Sequence, residues 1–208
     1  MDKLEKESVY DTYQKIAEHF SNTCHYVWPY TKKYIEAIPI NSKVVDIGCG
    51  NGRNMFRKDL EWSGMDFCDK FVELCIRNNK NVIWGNILNI PFPENEFDNT
   101  ICIAVIHHLS TPERRKKSIQ ELIRITKPKG KILIQVWGFN PKKYDTQEAI
   151  VEWNLQKKYN GEKKNIKINR YYHLYKENEL KSQIPLDKVK IIMEENEYNN
   201  WIIELEKI

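Results

Sequence analysis

Five short apolar runs between Lys43 and Trp137 limit what this chain can fold into more than any other feature. They occupy residues 44–47, 62–66, 82–85, 99–105 and 131–137. Each is continuous rather than alternating, as expected of parallel strands covered on both faces. Helical patterns separate the runs. Thr111-Pro112 reads as an N-cap followed by proline at the first helical position. Ile119, Leu122, Ile123 and Thr126 then share a face, and Pro128 is expected to stop the helix. This alternation predicts an α/β, doubly wound, mostly parallel sheet. Residues 189–193 and 201–205 flank a polar stretch, Glu197-Tyr198-Asn199-Asn200, and predict an antiparallel strand pair at the sheet's end, making seven strands.

A chain of 208 residues fits one domain with a full core. Within residues 1–40, Val9, Tyr10, Tyr13, Ile16, Ala17 and Phe20 fall at helical spacing. That stretch packs on the sheet, covers a ligand as a lid, or does both. No apolar run approaches the roughly 20 residues of a membrane span. The first seven residues are charged and lack the apolar stretch of a signal peptide. A cytoplasmic or nuclear protein with no membrane partner is expected. The five cysteines include no C-x-x-C pair, which argues against a zinc site or a disulfide framework, and no metal is expected.

The chemistry begins at the end of the first run, in Asp46-Ile47-Gly48-Cys49-Gly50-Asn51-Gly52. A dinucleotide turn wants G-x-G-x-x-G, but here the third glycine comes one residue early and position 53 is Arg. Dinucleotides also place a pyrophosphate at this turn, where Asp46 would repel it. S-adenosylmethionine carries no phosphate; it has a sulfonium and an ammonium group, which an acidic strand end suits. Asp66, twenty residues further on, is placed to accept hydrogen bonds from both ribose hydroxyls. Gly85-Asn86-Ile87 puts Asn86 where an acidic residue usually meets the adenine amino group. Its neutral amide predicts somewhat weaker cofactor binding.

The net charge of +4 is concentrated. Between Pro141 and Lys181 ten Lys and Arg stand against six Asp and Glu, so this region carries the whole excess. Tyr144, Trp153, Tyr159, Tyr171, Tyr172 and Tyr175 are interleaved with those cations. The mixture suits phosphate contact with base stacking, although a charged stretch is also what any solvated face shows. Residues 140–182 therefore read as a basic aromatic insertion near the active site, of which residues 140–168 are polar, basic and long for a connection.

The fourth run ends in Ala104-Val105-Ile106-His107-His108-Leu109-Ser110-Thr111. It lacks the Asn/Asp-Pro-Pro-Tyr loop of amino methyltransferases and the Pro-Cys nucleophile of C5-pyrimidine enzymes. Two histidines at the carboxyl end of a central strand, where α/β sheets bind ligands, leave O-methylation or a related small-nucleophile transfer.

With these residues assembled, the chain resembles the eukaryotic tRNA methyltransferases that esterify 5-carboxymethyluridine at the wobble position. The matching blocks are Tyr13-x-x-Ile16-Ala17-x-His19-Phe20-Ser21 with Trp28-Pro29, the glycine turn, and 103–111 with Glu113-Arg114-Arg115. Val136-Trp137, Arg170-Tyr171-Tyr172-His173-Leu174-Tyr175, Glu179-Leu180 and Asn200-Trp201 complete them. The resemblance implies a class I S-adenosylmethionine-dependent fold and a tRNA, not DNA, substrate. It also implies a small zinc-binding activator subunit along the sheet edge at 82–84. His107, His108, Arg170 and His173 are the catalytic candidates. Tyr13, Asp46, Gly48, Gly50, Asn51, Gly52, Asp66, Asn86, Ile87 and Ala104 are the cofactor candidates. Cys24-His25 stands where the family has an Arg-aromatic pair, and Asn178 where it has Gly. The residues by themselves also admit a small-molecule O- or N-methyltransferase, or an inactive scaffold serving as a binding subunit.

Overall fold

In the computed structural model, which describes residues 2–208, the N-terminal segment comes first: α1 (Lys3–Glu5), a π turn (Lys6–Tyr10), α2 (Asp11–Thr23) and α3 (Pro29–Glu36). There follow β1 (Lys43–Ile47), β2 (Glu61–Asp66), α4 (Asp69–Arg77), β3 (Val82–Trp84), β4 (Phe97–Ile103), α5 (Pro112–Ile125) and β5 (Thr126–Trp137). The chain ends with β6 (Glu148–Leu155), β7 (Ile166–His173), α6 (Glu179–Ser182), β8 (Val189–Glu197) and β9 (Asn200–Lys207). The seven-stranded sheet has the order β3-β2-β1-β4-β5-β9-β8. β1 to β5 are parallel, while β9 runs antiparallel to β5 and to β8. No helix of the described residues is long and apolar enough to cross a membrane.

The continuous apolar runs have a plain cause, since side chains alternate between two covered faces. Cys102, Ile132 and Ile134 pack with Ile119 and Leu122 of α5 on one side. Ile101, Ile103 and Leu133 pack with Tyr34 and Ile35 of α3 on the other.

Three local expectations are corrected. The crossovers from β1 to β2 and from β3 to β4 contain turns and no helix, so helices do not alternate with strands throughout. β4 stops at Ile103, because Ala104 takes a left-handed φ of 61° and Ile106–His108 forms a 3-10 turn. α5 begins at Thr111-Pro112, with the Thr111 hydroxyl accepting from the Arg114 N–H at 3.3 Å. It ends at Ile125 rather than at Pro128, because Thr126 pairs with Phe97 as the first residue of β5. Residues 140–168, polar and long for a connection, carry structure of their own: β6 and β7 form a separate antiparallel sheet, with Val151 opposite Arg170 and Ala149 opposite Tyr172.

That second sheet sits over the carboxyl ends of the parallel strands. Thr12 of α2 donates to the Asn169 carbonyl of β7 at 3.0 Å, tying the N-terminal segment to it. Asn178, where the related family carries Gly, has φ 61°. Asn is the non-glycine residue that most readily accepts this left-handed conformation.

Candidate active site

The carboxyl ends of β1, β2, β4 and β5 open into a cavity of about 380 Å³, walled by α2, β6 and β7. Open α/β sheets bind ligands at this end. Gly48 and Gly50 have φ of 75° and 55°, and both line the cavity. A Cβ on Gly48 would lie 2.3 Å from Val105 Cγ2, whereas one on Gly50 would meet nothing within 4 Å. Gly52 does not line the cavity; a Cβ there would strike Lys80 and Cys75. No helix follows this turn, so it presents no helix N-terminus to attract a phosphate.

Asp66 Oδ2 accepts the Gly50 N–H at 2.7 Å and Oδ1 accepts the Cys68 N–H at 2.8 Å. Burial pushes its carboxyl up to about 6 despite those bonds. Asp46 is placed differently from the sequence expectation. It is fully buried and lies behind the cavity wall, where Oδ2 accepts from Asn54 Nδ2 at 3.0 Å. Its Oδ1 has no partner, and burial pushes the group up to about 7. Asp46 therefore reaches the cavity through Asn54, which does line it. Asn86 lines the cavity, but its amide oxygen already accepts the Leu88 N–H at 2.9 Å. Tyr13, Asn51, Ile87 and Ala104 also lie on the wall.

The left-handed turn at Ala104 carries both histidines into the cavity. Trp137 donates its backbone N–H to His107 Nδ1 at 3.1 Å, which leaves the neutral ring's proton on Nε2. That Nε2 is buried without a partner. His108 is fixed in the opposite tautomer. Its Nδ1 faces the Tyr171 carbonyl at 2.8 Å and must donate, so Nε2 accepts from the Tyr13 hydroxyl at 3.1 Å. Burial lowers the His107 pKa well below the usual imidazole value and lowers that of His108 to about 4. Neither ring is a cation at neutral pH.

The cationic group between the aromatics is Arg170. It is 6% exposed, its guanidinium lies 4.9 Å from the Trp153 ring centroid and 5.3 Å from that of Tyr172, and Nε has no partner. No carboxylate among the described residues pairs with it. Arg114, which also lines the cavity, is by contrast held by Glu5: Nε donates to Oε1 at 2.7 Å and Nη2 to Oε2. The Ser110 N–H and hydroxyl complete the shell of Glu5 at 2.7 and 2.9 Å. This clamp fastens the N-terminal segment to the start of α5, and no local sequence pattern links Glu5 to Arg114.

His173 does not reach the cavity. Nδ1 lies 2.7 Å from Glu148 Oε1 and Nε2 2.6 Å from Glu179 Oε1. Strand alternation explains the misplacement, because Tyr172 points inward and its neighbour turns away. Tyr172 stacks on Trp137 with centroids 4.5 Å apart and an interplanar angle of 13°. Cys24 lines the cavity, and its backbone carbonyl accepts from Asn51 Nδ2 at 3.1 Å.

A parallel sheet closed by an antiparallel strand pair and a glycine turn beside two acidic strand ends define a class I S-adenosylmethionine-dependent methyltransferase. The cofactor fits the residues present, since Gly50 leaves open space, Asp66 offers acceptors, and no helix terminus calls for a phosphate. A family model described as "Methyltransferase domain" matches residues 45–134. The tRNA (carboxymethyluridine(34)-5-O)-methyltransferase of Schizosaccharomyces pombe is 33% identical, over 99% of this chain and 98% of that one. The Arabidopsis thaliana protein of the same name is 39% identical over 65% of this chain and 34% of its own. Among solved structures, a putative methyltransferase in a complex with the Haloferax volcanii Trm112 methyltransferase activator has a like fold. Its TM-score is 0.67 at 10% identity, over 96% of this chain and 98% of that one. The chain belongs to the tRNA (carboxymethyluridine(34)-5-O)-methyltransferase family.

Proposed function

We propose that this chain methylates the carboxylate of 5-carboxymethyluridine at the wobble position of tRNA, giving the methyl ester. The observation that carries the reading is Arg170, a buried guanidinium held between Trp153 and Tyr172 with no acidic partner. A buried unpaired charge is costly, and an anionic acceptor in the cavity relieves that cost. Its planar fork matches a carboxylate bidentately.

S-adenosylmethionine, bound at the glycine turn, supplies an electrophilic sulfonium methyl. A carboxylate with a pKa near 4 is already ionised at neutral pH, so no strong base is required. The neutral histidines accord with that. His107 Nε2–H is a free donor for the acceptor, and His108 orders Tyr13 and the β7 backbone. Trp137, Tyr172 and Trp153 provide flat apolar walls that position a pyrimidine and exclude water. His173, clamped by Glu148 and Glu179, acts at a distance by anchoring the hairpin that carries Arg170.

Incubation with methyl-labelled cofactor and tRNA bearing carboxymethyluridine, with and without an activator subunit, tests the reading. The expected label on tRNA is lost in mild alkali. A base-stable label, or label confined to small molecules, overturns it.

A small zinc-binding activator suits the edge strand β3. That strand has only three residues, and Ile83 and Trp84 are 36% and 52% exposed. An apolar sheet edge normally needs cover. Trp84 is held ready, with Nε1 donating to the Phe67 carbonyl at 3.0 Å. The expected location of the assembly is the cytoplasm or the nucleus.

Cofactor affinity is predicted to depend on pH through Asp66 and Asp46. Their free-protein pKa values, raised to about 6 and about 7 by burial, fall when a cation binds nearby, because the charge favours the ionised forms. Binding therefore releases protons across pH 6–7, and affinity rises with pH through that window and levels off above it. Calorimetry in buffers of different ionisation enthalpy measures the protons released; Asp66→Asn should remove the lower part of the dependence.

A further inference from the structure

Two phenol rings stand in solvent beyond any other large side chain of comparable hydrophobicity. Tyr26 is 86% exposed and Tyr198 is 84%, against 67% for the next, Ile40. Both belong to segments that adjoin cavity-lining residues. Tyr26 is midway between Cys24 and Trp28, which line it. Tyr198 occupies the turn between β8 and β9, where it and Asn199 have φ of 50° and 61°, the conformation of a tight hairpin turn. Gly138 pins that turn to the cofactor end of the sheet. Its N–H donates to the Asn199 carbonyl at 2.8 Å, and its carbonyl accepts from Asn199 Nδ2 at 2.7 Å. Gly138 directly follows the cavity-lining Trp137. The two segments are themselves joined, since the Tyr30 N–H donates to the Glu197 carboxylate at 3.3 Å.

The turn that carries Tyr198 is thus held by bonds that do not use its phenol. The hairpin of β6 and β7 contributes Trp153 and Arg170 to the cavity wall and belongs to the basic region of the chain. A cationic wall together with exposed flat rings in adjoining segments suits a single nucleic-acid strand, whose phosphates seek charge and whose bases seek a ring. The exposed β3 edge lies at the far end of the sheet from β8 and β9, so these tyrosines are not part of that surface.

We propose that Tyr26 and Tyr198 are stacking platforms for the unpaired nucleotides that flank the modified one. The proposal rests on the tRNA reading given above. A base entering a buried cavity leaves its stack, and its neighbours lose the partner it provided. An exposed aromatic ring in an adjoining segment restores that contact for any base, because every base has a π face.

The test uses the full chain, with its activator where turnover requires one. A labelled anticodon stem-loop RNA bearing carboxymethyluridine is titrated over a series of salt concentrations. Tyr26→Ala and Tyr198→Ala should each weaken binding about 5- to 150-fold, and KM for tRNA should rise with kcat nearly unchanged. Tyr26→Phe and Tyr198→Phe should bind within about twofold of the parent, since stacking survives loss of the hydroxyl. The slope of log affinity against log salt should stay at the parent value, because no phosphate contact is removed. S-adenosylmethionine affinity, measured on every variant, reports that each is folded. Parent-like RNA binding by the double alanine variant overturns the proposal, as does a loss in the Phe variants equal to that in the Ala variants. A parent chain that binds cofactor but neither binds nor methylates the RNA overturns the tRNA reading and this proposal together. A parent that methylates while the alanine variants match it overturns the stacking role alone.

Discussion

Arg170→Ala is expected to cut ester formation by tens- to thousands-fold while S-adenosylmethionine affinity stays within a few-fold of the parent. The size of the effect follows from burial. Removing one member of a buried, hydrogen-bonded charge pair costs about 2–5 kcal/mol. That corresponds to roughly 30- to 4,000-fold in kcat/KM at 1.4 kcal/mol per decade. The acceptor's carboxylate would otherwise enter a cavity whose histidines are both neutral. Arg170→Lys keeps the charge but loses the planar group that stacks between Trp153 and Tyr172, so its activity should fall between the two. Single-turnover rates with separate titration of cofactor and tRNA distinguish these effects. Unchanged turnover in Arg170→Ala would remove the basis for a carboxylate acceptor.

Gly48→Ala and Gly50→Ala should fail in different ways, although both replace a left-handed glycine in one turn. At Gly48 the new methyl meets Val105 at 2.3 Å. A left-handed alanine costs about 1–2 kcal/mol, and overpacking adds about 1–3 kcal/mol. For a chain of this size the sum predicts a fall in Tm of roughly 4–20 °C. At Gly50 the methyl meets nothing within 4 Å, and that side of the residue faces the cavity. The stability cost is then the conformational part alone, a few degrees, while cofactor affinity should drop at least tenfold. Thermal unfolding with and without saturating S-adenosylmethionine separates the two, because ligand stabilisation should survive in Gly48→Ala and shrink in Gly50→Ala.

Much of the fold was legible because its signals are local. The five parallel strands and the C-terminal pair announced themselves as apolar runs, and Thr111-Pro112 marked the start of α5. The β6–β7 sheet was not legible. Its strands alternate polar and apolar residues only in part, and half of β7 is buried under groups distant in sequence. The missing helices after β1 and β3 were hidden for a similar reason. A right-handed crossover needs length rather than a helix, and nothing in the turn at 48–60 declares which it uses.

The sequence by itself determined the parallel strands, the antiparallel pair at the sheet's end and the glycine turn. Those follow from chirality, side-chain period and the absence of a Cβ, which act within a few residues. Only the tertiary structure decided how the ionisable groups behave. Glu5 meets Arg114 across 109 residues, Asp46 withdraws behind Asn54, and His173 is taken by Glu148 and Glu179. Arg170 alone of these is left without an acid. Charge pairing depends on distance and dielectric, both set by packing, and so the buried, acid-free guanidinium of Arg170 belongs to the fold rather than to the string of residues.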